Sequence, residues 1–295
     1  MNSAAFTVSD YLKLATNTFS VNSESARLDA EVLLCEVLGR SRAFIYTYDD
    51  YCLSEAEQAL FSLYVQRRAL GEPIAYIIEK REFWSLMLNV GPETLIPRPE
   101  TETLVSLVLE LCTRPDARLL DLGTGTGAIA LALASEKPEW CIQAVDRVQA
   151  AVALAERNRA SLGFDNVSVF LSHWFDQIGP DLFDIIVSNP PYIDAEDTHL
   201  FQGDVAFEPE TALVAAESGL ADLFYIINTA VDYLESRGWL IVEHGFEQGA
   251  AVRQHFALHD YVEIHTVLDL SQNERVTAGR RATRRRGVGV FAPAD

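Results

Sequence analysis

The 295-residue sequence contains few cysteines, few basic residues and no long hydrophobic run. Its four cysteines stand at positions 35, 52, 112 and 141, and no two of them form a C-x-x-C pair. This scatter excludes a disulfide framework and a zinc-binding spacing, and it favours a reducing, cytoplasmic setting. No segment approaches the roughly 18 apolar residues that span a bilayer, and the N-terminus lacks a basic stretch followed by an apolar one. We therefore expect a protein that is neither exported nor embedded in a membrane.

Basic residues are outnumbered, with 23 Lys and Arg against 43 Asp and Glu, and the formal net charge is −20. Residues 280–295 hold five arginines and one aspartate, or +4, so the preceding 279 residues carry −24. A body this acidic repels a phosphate backbone, because duplex binding depends on Lys and Arg that neutralise phosphates. We therefore expect no stable nucleic acid partner, and we expect Arg284, Arg285 and Arg286 in a solvated tail.

The rest of the composition, 49% hydrophobic and 22% charged, is typical of a globular protein, and the length gives room for about two domains. Residues 1–75 place apolar side chains at three- and four-residue spacing, which predicts a small α-helical domain. Residues 76–99 alternate in polarity and then become proline-rich, which predicts a β-hairpin connector. Residues 100–281 are predicted to form the main domain, and 282–295 the Arg-rich tail.

In the main domain, short apolar strands alternate with helical segments. This alternation is typical of a mainly parallel, doubly wound α/β sheet, which binds ligands at the carboxyl ends of its strands. Strands are predicted at 118–122, 141–145, 167–171, 183–188 and 239–243, and helices at 127–136, 148–162, 218–236 and 247–258.

A glycine-rich loop follows the first of these strands and precedes a helix. It consists of Gly123, Thr124, Gly125, Thr126 and Gly127. Glycines let a backbone turn tightly and approach a ligand, and a helix N-terminus presents free N–H groups, so we expect a cofactor here. With Ala128 the loop also satisfies the dinucleotide pattern G-x-G-x-x-A, so the loop alone does not choose between cofactors.

Asp146 ends the second predicted strand of the main domain. Its carboxylate is suited to accept both hydroxyl groups of a cofactor ribose. The alternative is a structural role, as a cap for the helix that begins near Val148.

A second motif follows the predicted strand 183–188 and consists of Asn189, Pro190, Pro191 and Tyr192. The two prolines fix a stiff extended turn, so the Asn189 side-chain carbonyl and a backbone carbonyl face the cleft side by side. Two such acceptors would hold both hydrogens of an NH2 group, and Tyr192 would lie against a planar conjugated amine or amide. The motif therefore indicates methylation of a nitrogen whose lone pair is delocalised.

Together these residues resemble a class I S-adenosylmethionine-dependent methyltransferase. More narrowly, the chain resembles the HemK (PrmC) family of release-factor glutamine methyltransferases over roughly residues 1–280. The segments that carry the resemblance are Glu72-Pro-Ile-Ala-Tyr, Arg81-Glu-Phe-Trp, Leu95-Ile-Pro-Arg-Pro-Glu-Thr-Glu, Asp121-Leu-Gly-Thr-Gly-Thr-Gly, Ala144-Val-Asp, Asn189-Pro-Pro-Tyr-Ile, Phe207-Glu-Pro and Asn273-Glu-Arg-Val.

The resemblance implies a Rossmann-like doubly wound sheet with a small N-terminal helical domain that recognises the partner. It implies methyl transfer from S-adenosyl-L-methionine, which leaves S-adenosyl-L-homocysteine. The acceptor would be N5 of the glutamine in the Gly-Gly-Gln motif of class 1 peptide-chain release factors.

The resemblance also assigns roles to residues. Loop 123–127 would cradle the methionine part of the cofactor, Asp146 would hold its ribose, and Trp174 would lie by its adenine. Asn189 would contact cofactor and substrate, and residues 190–192 would hold the substrate amide. The implied catalytic residues are Asn189, Pro190 and Tyr192.

The chain departs from the family pattern at two positions inside the matched region. His173 stands where the family usually has Asp beside Trp174, which questions one hydrogen bond to the adenine. Glu79 stands where the family commonly has Gly, which questions the entry geometry of the hairpin.

Two other functions use some of the same residues. An adenine-N6 DNA or RNA methyltransferase would use the same Asn-Pro-Pro-Tyr motif, although its base flipping needs a basic groove. A dinucleotide-dependent oxidoreductase would use the glycine loop and Asp146 but leave Asn189 without a role. No metal is expected, because His255 and His259 lack the Glu of H-E-x-x-H and a clear third ligand.

Overall fold

The computed structural model describes residues 6–21 and 23–283, which form two compact units. The helical unit contains the described residues up to 81 together with 87–96 and 197–209. The sheet unit contains residues 82–86, 97–196 and 210 onward. Two later segments thus return to the helical unit, whereas the tip of the hairpin connector belongs to the sheet unit. The predicted tail residues 284–286 lie outside the described residues.

Helices build the helical unit, and two of them carry reciprocal caps at their N-termini. Thr7 and Asp10 form a reciprocal capping box at the start of the first helix, and Ser54 and Glu57 do the same at the fourth. Such boxes satisfy N–H groups that have no partner inside the helix. The helices are α1 (Val8–Phe19), α2 (Ala26–Leu38), α3 (Arg42–Thr47), α4 (Glu55–Ala69) and α5 (Ile74–Ile78).

One face of α1 shows how this unit is packed. Val8, Leu12, Ala15 and Phe19 recur at three- and four-residue spacing and are all buried. They pack in one cluster with buried residues of the other helices, including Phe61 of α4. Burying such a stripe is the main source of stability for a short helix, because intrinsic propensity alone is too weak.

The hairpin after α5 contains β1 (Lys80–Phe83) and β2 (Leu86–Asn89). Glu79 ends α5 in the left-handed region, with φ of 56°. This backbone conformation favours glycine, because a Cβ atom there crowds the following carbonyl oxygen. The strain explains why glycine suits position 79 and shows that Glu79 preserves the hairpin entry at an energetic cost.

The sheet unit is a doubly wound α/β fold, so the predicted fold class is confirmed. Its helices are α6 (Glu102–Leu111), α7 (Ala128–Glu136), α8 (Gln149–Leu162), α9 (Ala216–Gly219), α10 (Ala221–Tyr233) and α11 (Gly249–Leu258). Its strands are β3 (Arg118–Leu122), β4 (Cys141–Asp146), β5 (Val167–Leu171), β6 (Phe183–Ser188), β7 (Leu234–Glu243), β8 (Tyr261–Leu268) and β9 (Glu274–Arg281).

Among the described residues, these seven strands form one sheet in the order β5-β4-β3-β6-β7-β9-β8. The first five strands in this order run parallel, and β9 is antiparallel to both of its neighbours. The chain moves outward from β3 to β5 and then returns to the other side of β3 as β6. Parallel sheets open a crevice at such a reversal, at the carboxyl ends of the strands.

The structure corrects the sequence interpretation near the C-terminal end. The predicted helix 218–236 is shorter, because α10 ends at Tyr233 and β7 already begins at Leu234. Before α10, Glu217 and Ser218 both have a positive φ of 55° and interrupt the helical path. The sequence analysis also missed β8 and β9. Within the part of the chain that the structure describes, no helix has the length and apolar character needed to cross a membrane.

Candidate cofactor and amide-binding site

The glycine loop leaves the sheet at the reversal point between β3 and β6. Gly123, Gly125 and Gly127 have φ of 73°, 56° and 85°, a region that L side chains rarely adopt. The N–H groups of Gly123 and Thr124 both donate to the Val145 carbonyl at 2.9 Å, which ties the loop to β4. The predicted loop is therefore a tight left-handed turn that ends at α7.

Asp121 lies directly under this loop and was not assigned a role by the sequence analysis. Its side chain is fully buried, and Oδ2 accepts a 2.6 Å hydrogen bond from the Thr124 hydroxyl. Its Oδ1 atom is buried and has no hydrogen-bond partner among the described residues. Burial raises the pKa of the Asp121 carboxyl to about 7, opposed by hydrogen bonds from Thr124 and from the Ala130 backbone. The carboxyl therefore lies enclosed beside the loop, with Oδ1 outside any close hydrogen bond in the described part of the chain.

Asp146 binds backbone on both sides. Oδ2 accepts from the Gly125 N–H at 3.0 Å, and Oδ1 accepts from the Val148 N–H at 2.9 Å, immediately before α8. Burial raises the pKa of Asp146. Each carboxylate oxygen has two lone pairs, so both can still accept from a ligand. Val148 is the N-cap residue of α8 and the helix has no side-chain cap, so the predicted capping role of Asp146 is wrong, while its ribose-binding role stays a prediction.

Trp174 lies against the glycine loop. It is 6% exposed, and a Cβ atom added to Gly123 would come within 3.3 Å of its ring. The backbone at Trp174 has a positive φ of 49°, and the Ser172 hydroxyl donates to its carbonyl at 2.9 Å. The indole therefore forms a wall beside Gly123. His173 is half exposed, with Nδ1 3.7 Å from an Asp176 carboxylate oxygen.

The Asn-Pro-Pro-Tyr motif starts beside the glycine loop. Ser188, the last residue of β6, pairs with Leu122 of β3, and its hydroxyl donates to the Leu122 carbonyl at 2.8 Å. Asn189 and Gly123 follow these two residues directly, so the structure brings the two predicted motifs together. The Asn189 amide nitrogen donates to the Thr101 hydroxyl at 3.2 Å. Its side-chain oxygen is the atom left for a ligand.

Tyr192 is held at two points. Its hydroxyl donates to Glu243 Oε1 at 3.3 Å, and its carbonyl accepts from Gln248 Nε2 at 3.0 Å. Burial raises the pKa of the Tyr192 hydroxyl, so the residue stays a neutral phenol. Within the described residues all peptide bonds are trans, including those of Pro190 and Pro191.

Glu243, at the end of β7, is a second buried carboxyl that the sequence analysis missed. It is 1% exposed, and its Oε2 atom has no hydrogen-bond partner among the residues that the structure describes. Burial raises the pKa of Glu243 to about 7, opposed by a hydrogen bond from Thr101 and the charge of Arg275. No sequence motif marks this residue, because its importance arises from contacts with distant parts of the chain.

His255 and His259 lie together outside this site, with ring centroids 4.5 Å apart. His255 stacks on Phe224 and pairs through Nε2 with Asn228 Oδ1 at 2.7 Å. The described residues contain no group of three His, Cys, Asp or Glu side chains arranged to hold a metal ion.

The chain matches two family models and the fold of a known methyltransferase. Residues 10–78 match the family model of the PrmC N-terminal domain, and residues 101–210 match that of the methyltransferase small domain. A methyltransferase structure from Pyrococcus furiosus shares the fold with a TM-score of 0.53 and 15% identity, over 75% of this chain and 99% of that chain.

Two curated relatives are more similar in sequence. The release factor glutamine methyltransferase of Shewanella oneidensis is 50% identical over 92% of this chain and 96% of its own length. That of Escherichia coli K12 is 52% identical over 88% of this chain and 93% of its own length. The fold, the family model and these relatives thus define a methyltransferase. Within that class, the chain belongs to the release factor glutamine methyltransferase family, which confirms the resemblance found in the sequence.

Proposed function

We propose that this protein transfers the methyl group of S-adenosyl-L-methionine to N5 of the glutamine in the Gly-Gly-Gln motif of class 1 peptide-chain release factors. The observation that carries the proposal is the adjacency of Gly123 and Asn189 at the ends of β3 and β6. This adjacency places the glycine loop, proposed to bind the cofactor, beside the Asn189 side-chain oxygen, proposed to bind the substrate. Its product would act in translation termination in the cytoplasm, where release factors work.

The residues around the glycine loop fit the proposed cofactor. S-adenosylmethionine, when bound, supplies a methyl group on a positively charged sulfur and also carries an ammonium group. The unpartnered Oδ1 of Asp121 suits such a cationic donor, and the carboxylate of Asp146 suits a ribose. Trp174 provides a flat apolar wall for the adenine, and residues 123–127 let the ligand approach the backbone. We propose these residues as the cofactor site, with S-adenosyl-L-homocysteine as the product held there.

The substrate amide would be held by the Asn-Pro-Pro-Tyr turn. The Asn189 side-chain oxygen and the Pro190 carbonyl would accept the two amide hydrogens, while Tyr192 packs against the amide plane and Pro191 keeps the turn stiff. An amide nitrogen is a poor nucleophile, because its lone pair is shared with the carbonyl. The main contribution of the protein is therefore to orient the substrate amide nitrogen.

Charge and proton movement follow from the same contacts. A methyl group taken up from the cofactor sulfur would leave positive charge on the substrate amide nitrogen. The two acceptor oxygens stabilise this charge. The alkylated nitrogen is acidic and releases one of its protons to solvent, so no strong base is required. The raised pKa of Tyr192 is consistent with a residue that packs and positions rather than removes a proton.

The helical unit is proposed to recognise the release factor. It contains the region matched by the PrmC N-terminal model and exposes large aromatic side chains, with Tyr46 57% and Tyr48 53% exposed. Tyrosines of this kind are enriched in protein interfaces. The acidic surface would favour a basic partner loop, so added salt should slow the association.

Mass spectrometry of the substrate tests the proposal. The protein is incubated with S-adenosylmethionine and a class 1 release factor, and the peptide that contains Gly-Gly-Gln is analysed for one added methyl group on the glutamine. A release factor whose motif glutamine is replaced by alanine is the matched control and should remain unmodified. Methylation of adenine in naked DNA, with none on the release factor, would contradict the proposal.

A further inference from the structure

The hydrogen bond from Asn189 to Thr101 has no part in gripping the substrate, yet it connects to a deeply buried carboxyl. Thr101 closes the short turn Pro99–Thr101 before α6 and is 4% exposed. It accepts from Asn189 Nδ2 at 3.2 Å, and its hydroxyl also hydrogen-bonds the Glu243 carboxyl. Asn189, Thr101 and Glu243 therefore form one chain of hydrogen bonds.

The direction of this chain follows from the chemistry of its members. A hydroxyl has a single proton to donate, and above its pKa of about 7 the Glu243 carboxylate can only accept. Because the Thr101 proton is directed to Glu243, the Thr101 oxygen is left to accept from Asn189. Only the NH2 side of an amide can donate, so this end of Asn189 turns toward Thr101 and the oxygen turns away.

We infer that Glu243 is a positioning residue that acts through Thr101, fixing the Asn189 amide so that its oxygen faces the substrate amide. This inference rests on the proposed function. If the amide were turned over, its NH2 group would meet the NH2 group of the substrate, and two donors cannot bond each other.

The same carboxyl holds the other end of the motif. The Tyr192 hydroxyl donates to Glu243 Oε1 at 3.3 Å, so Glu243 is connected to the first and the last residue of the turn. A buried carboxyl is costly, because the charged form loses its hydration. Glu243 is bonded to Tyr192 directly and to Asn189 through Thr101, so it helps to hold the turn rigid. Catalysis by orientation requires such rigid support of the reacting group.

The first experiment measures the Asn189 amide itself and requires no catalysis. The full-length protein is labelled with 15N-asparagine, and hydrogen exchange of the side-chain NH2 groups is followed at pH 8. The Asn189 protons should exchange more slowly than those of Asn228, an exposed asparagine on α10. Thr101→Val, which removes the hydroxyl but keeps the shape, should speed the Asn189 exchange by about fivefold to tenfold, the effect of one hydrogen bond of about 1 kcal/mol.

The second experiment measures single-turnover methyl transfer to the release factor. Thr101→Val and Glu243→Met should each lower the rate by about 10²-fold, the scale of a misplaced reacting group, with cofactor affinity unchanged within about twofold. Glu243→Met keeps the length of the side chain but has no carboxylate oxygen to accept from Thr101 or Tyr192. Thr101→Ser restores the hydroxyl and should recover most of the rate. Ser106→Ala, which removes an exposed hydroxyl from α6, is the matched control and should react like the wild type.

The two measurements separate this inference from the proposed function. If the wild type methylates the release factor but Thr101→Val reacts within about twofold of it, or if Asn189 exchanges as fast as Asn228, the positioning role is overturned while the function stands. If the slow exchange and its loss in Thr101→Val are observed but no methylated glutamine appears, the amide geometry stands and the proposed substrate fails. Thermal melting of each variant verifies that it is folded.

Discussion

Leu122 and Ser188 face each other across the parallel pair of β3 and β6, and the Ser188 hydroxyl donates to the Leu122 carbonyl. This contact aligns the ends of two strands that lie far apart in the chain. The next residue on one strand is Gly123 and on the other is Asn189. Strand register therefore brings the proposed cofactor loop and the proposed amide-binding motif together. A shift of one residue in that register would turn the side chains of the shifted strand to the opposite face of the sheet.

Substitution in the glycine loop should weaken cofactor binding. Gly125 has a positive φ of 56° and donates to Asp146, so Gly125→Val strains the backbone and fills the space that a ligand needs. Calorimetry should show S-adenosylmethionine affinity reduced more than about tenfold, or about 1.4 kcal/mol. Gly163→Val is the matched control, because Gly163 also has a positive φ but faces open space. Unchanged affinity in Gly125→Val would refute the location of the cofactor.

Replacing Asp121 with asparagine should increase the stability of the protein and weaken cofactor binding. The pKa of Asp121 is raised from 3.8 to about 7 in the folded protein, so the folded state binds more protons between these values and stability falls as the pH rises. Asp121→Asn removes this ionisation and should stabilise the protein at pH 8, by up to about 4 kcal/mol at 1.36 kcal/mol per pKa unit, but not at pH 3.5. Melting curves across this range check the sign.

The same variant carries a functional expectation. Because an asparagine side chain would lack the negative charge proposed to meet the cofactor ammonium group, S-adenosylmethionine should bind more weakly to Asp121→Asn than to the wild type at pH 8. A variant that is less stable at pH 8 and binds the cofactor normally would contradict both parts of this account.

Glu79→Gly should stabilise the helical unit. Glu79 occupies the left-handed region at the end of α5, which costs about 1–2 kcal/mol for a residue with a Cβ atom. Glycine removes this strain but is more flexible when unfolded, so we expect a net gain of up to about 1 kcal/mol in the free energy of unfolding. Glu79→Ala keeps the Cβ atom and should give no gain in urea unfolding. Equal effects of the two variants would show that the backbone is not strained there.

Gly219→Ala should slow methyl transfer, although Gly219 lies outside the Asn-Pro-Pro-Tyr motif. Gly219 has a positive φ of 80°, and a Cβ atom there would overlap the Tyr192 carbonyl oxygen and crowd Gln248. The turn must shift, so the single-turnover rate should fall by about 10²-fold while cofactor affinity stays within about threefold. Gly163→Ala controls for backbone strain alone. A normal rate in Gly219→Ala would show that the turn tolerates displacement.

The sequence predicted the parallel strands of the sheet better than its antiparallel end. The bounds of β3, β5 and β6 agree with prediction, because these strands are short apolar runs that end before glycine or polar residues. The strand β9 was missed because four of its eight residues are charged, and β8 and β9 pair with each other in an antiparallel arrangement. Strand propensity depends on such neighbours, which a sequence pattern does not display.

The residues of the candidate site were likewise only partly predictable from the sequence. The glycine loop and the Asn-Pro-Pro-Tyr motif are continuous in sequence, and their order along the chain made them recognisable. Thr101 and Glu243 belong to no continuous motif, since Thr101 contacts Asn189 across a sequence separation of 88 residues and Glu243 contacts Tyr192 across 51. Their roles depend on burial and on hydrogen bonds that only folding creates.

The most direct test of the central claim is single-turnover methyl transfer by Asn189→Ala at saturating S-adenosylmethionine and release factor. Removing one of the two acceptors proposed to grip the glutamine amide should lower the rate by about 10²–10³-fold, the scale for loss of one transition-state hydrogen bond. Asn228→Ala, which removes an exposed asparagine side chain from α10, should react like the wild type. If Asn189→Ala reacts within about threefold of the wild type, which is under about 1 kcal/mol of barrier, Asn189 does not hold the substrate amide and the account is wrong.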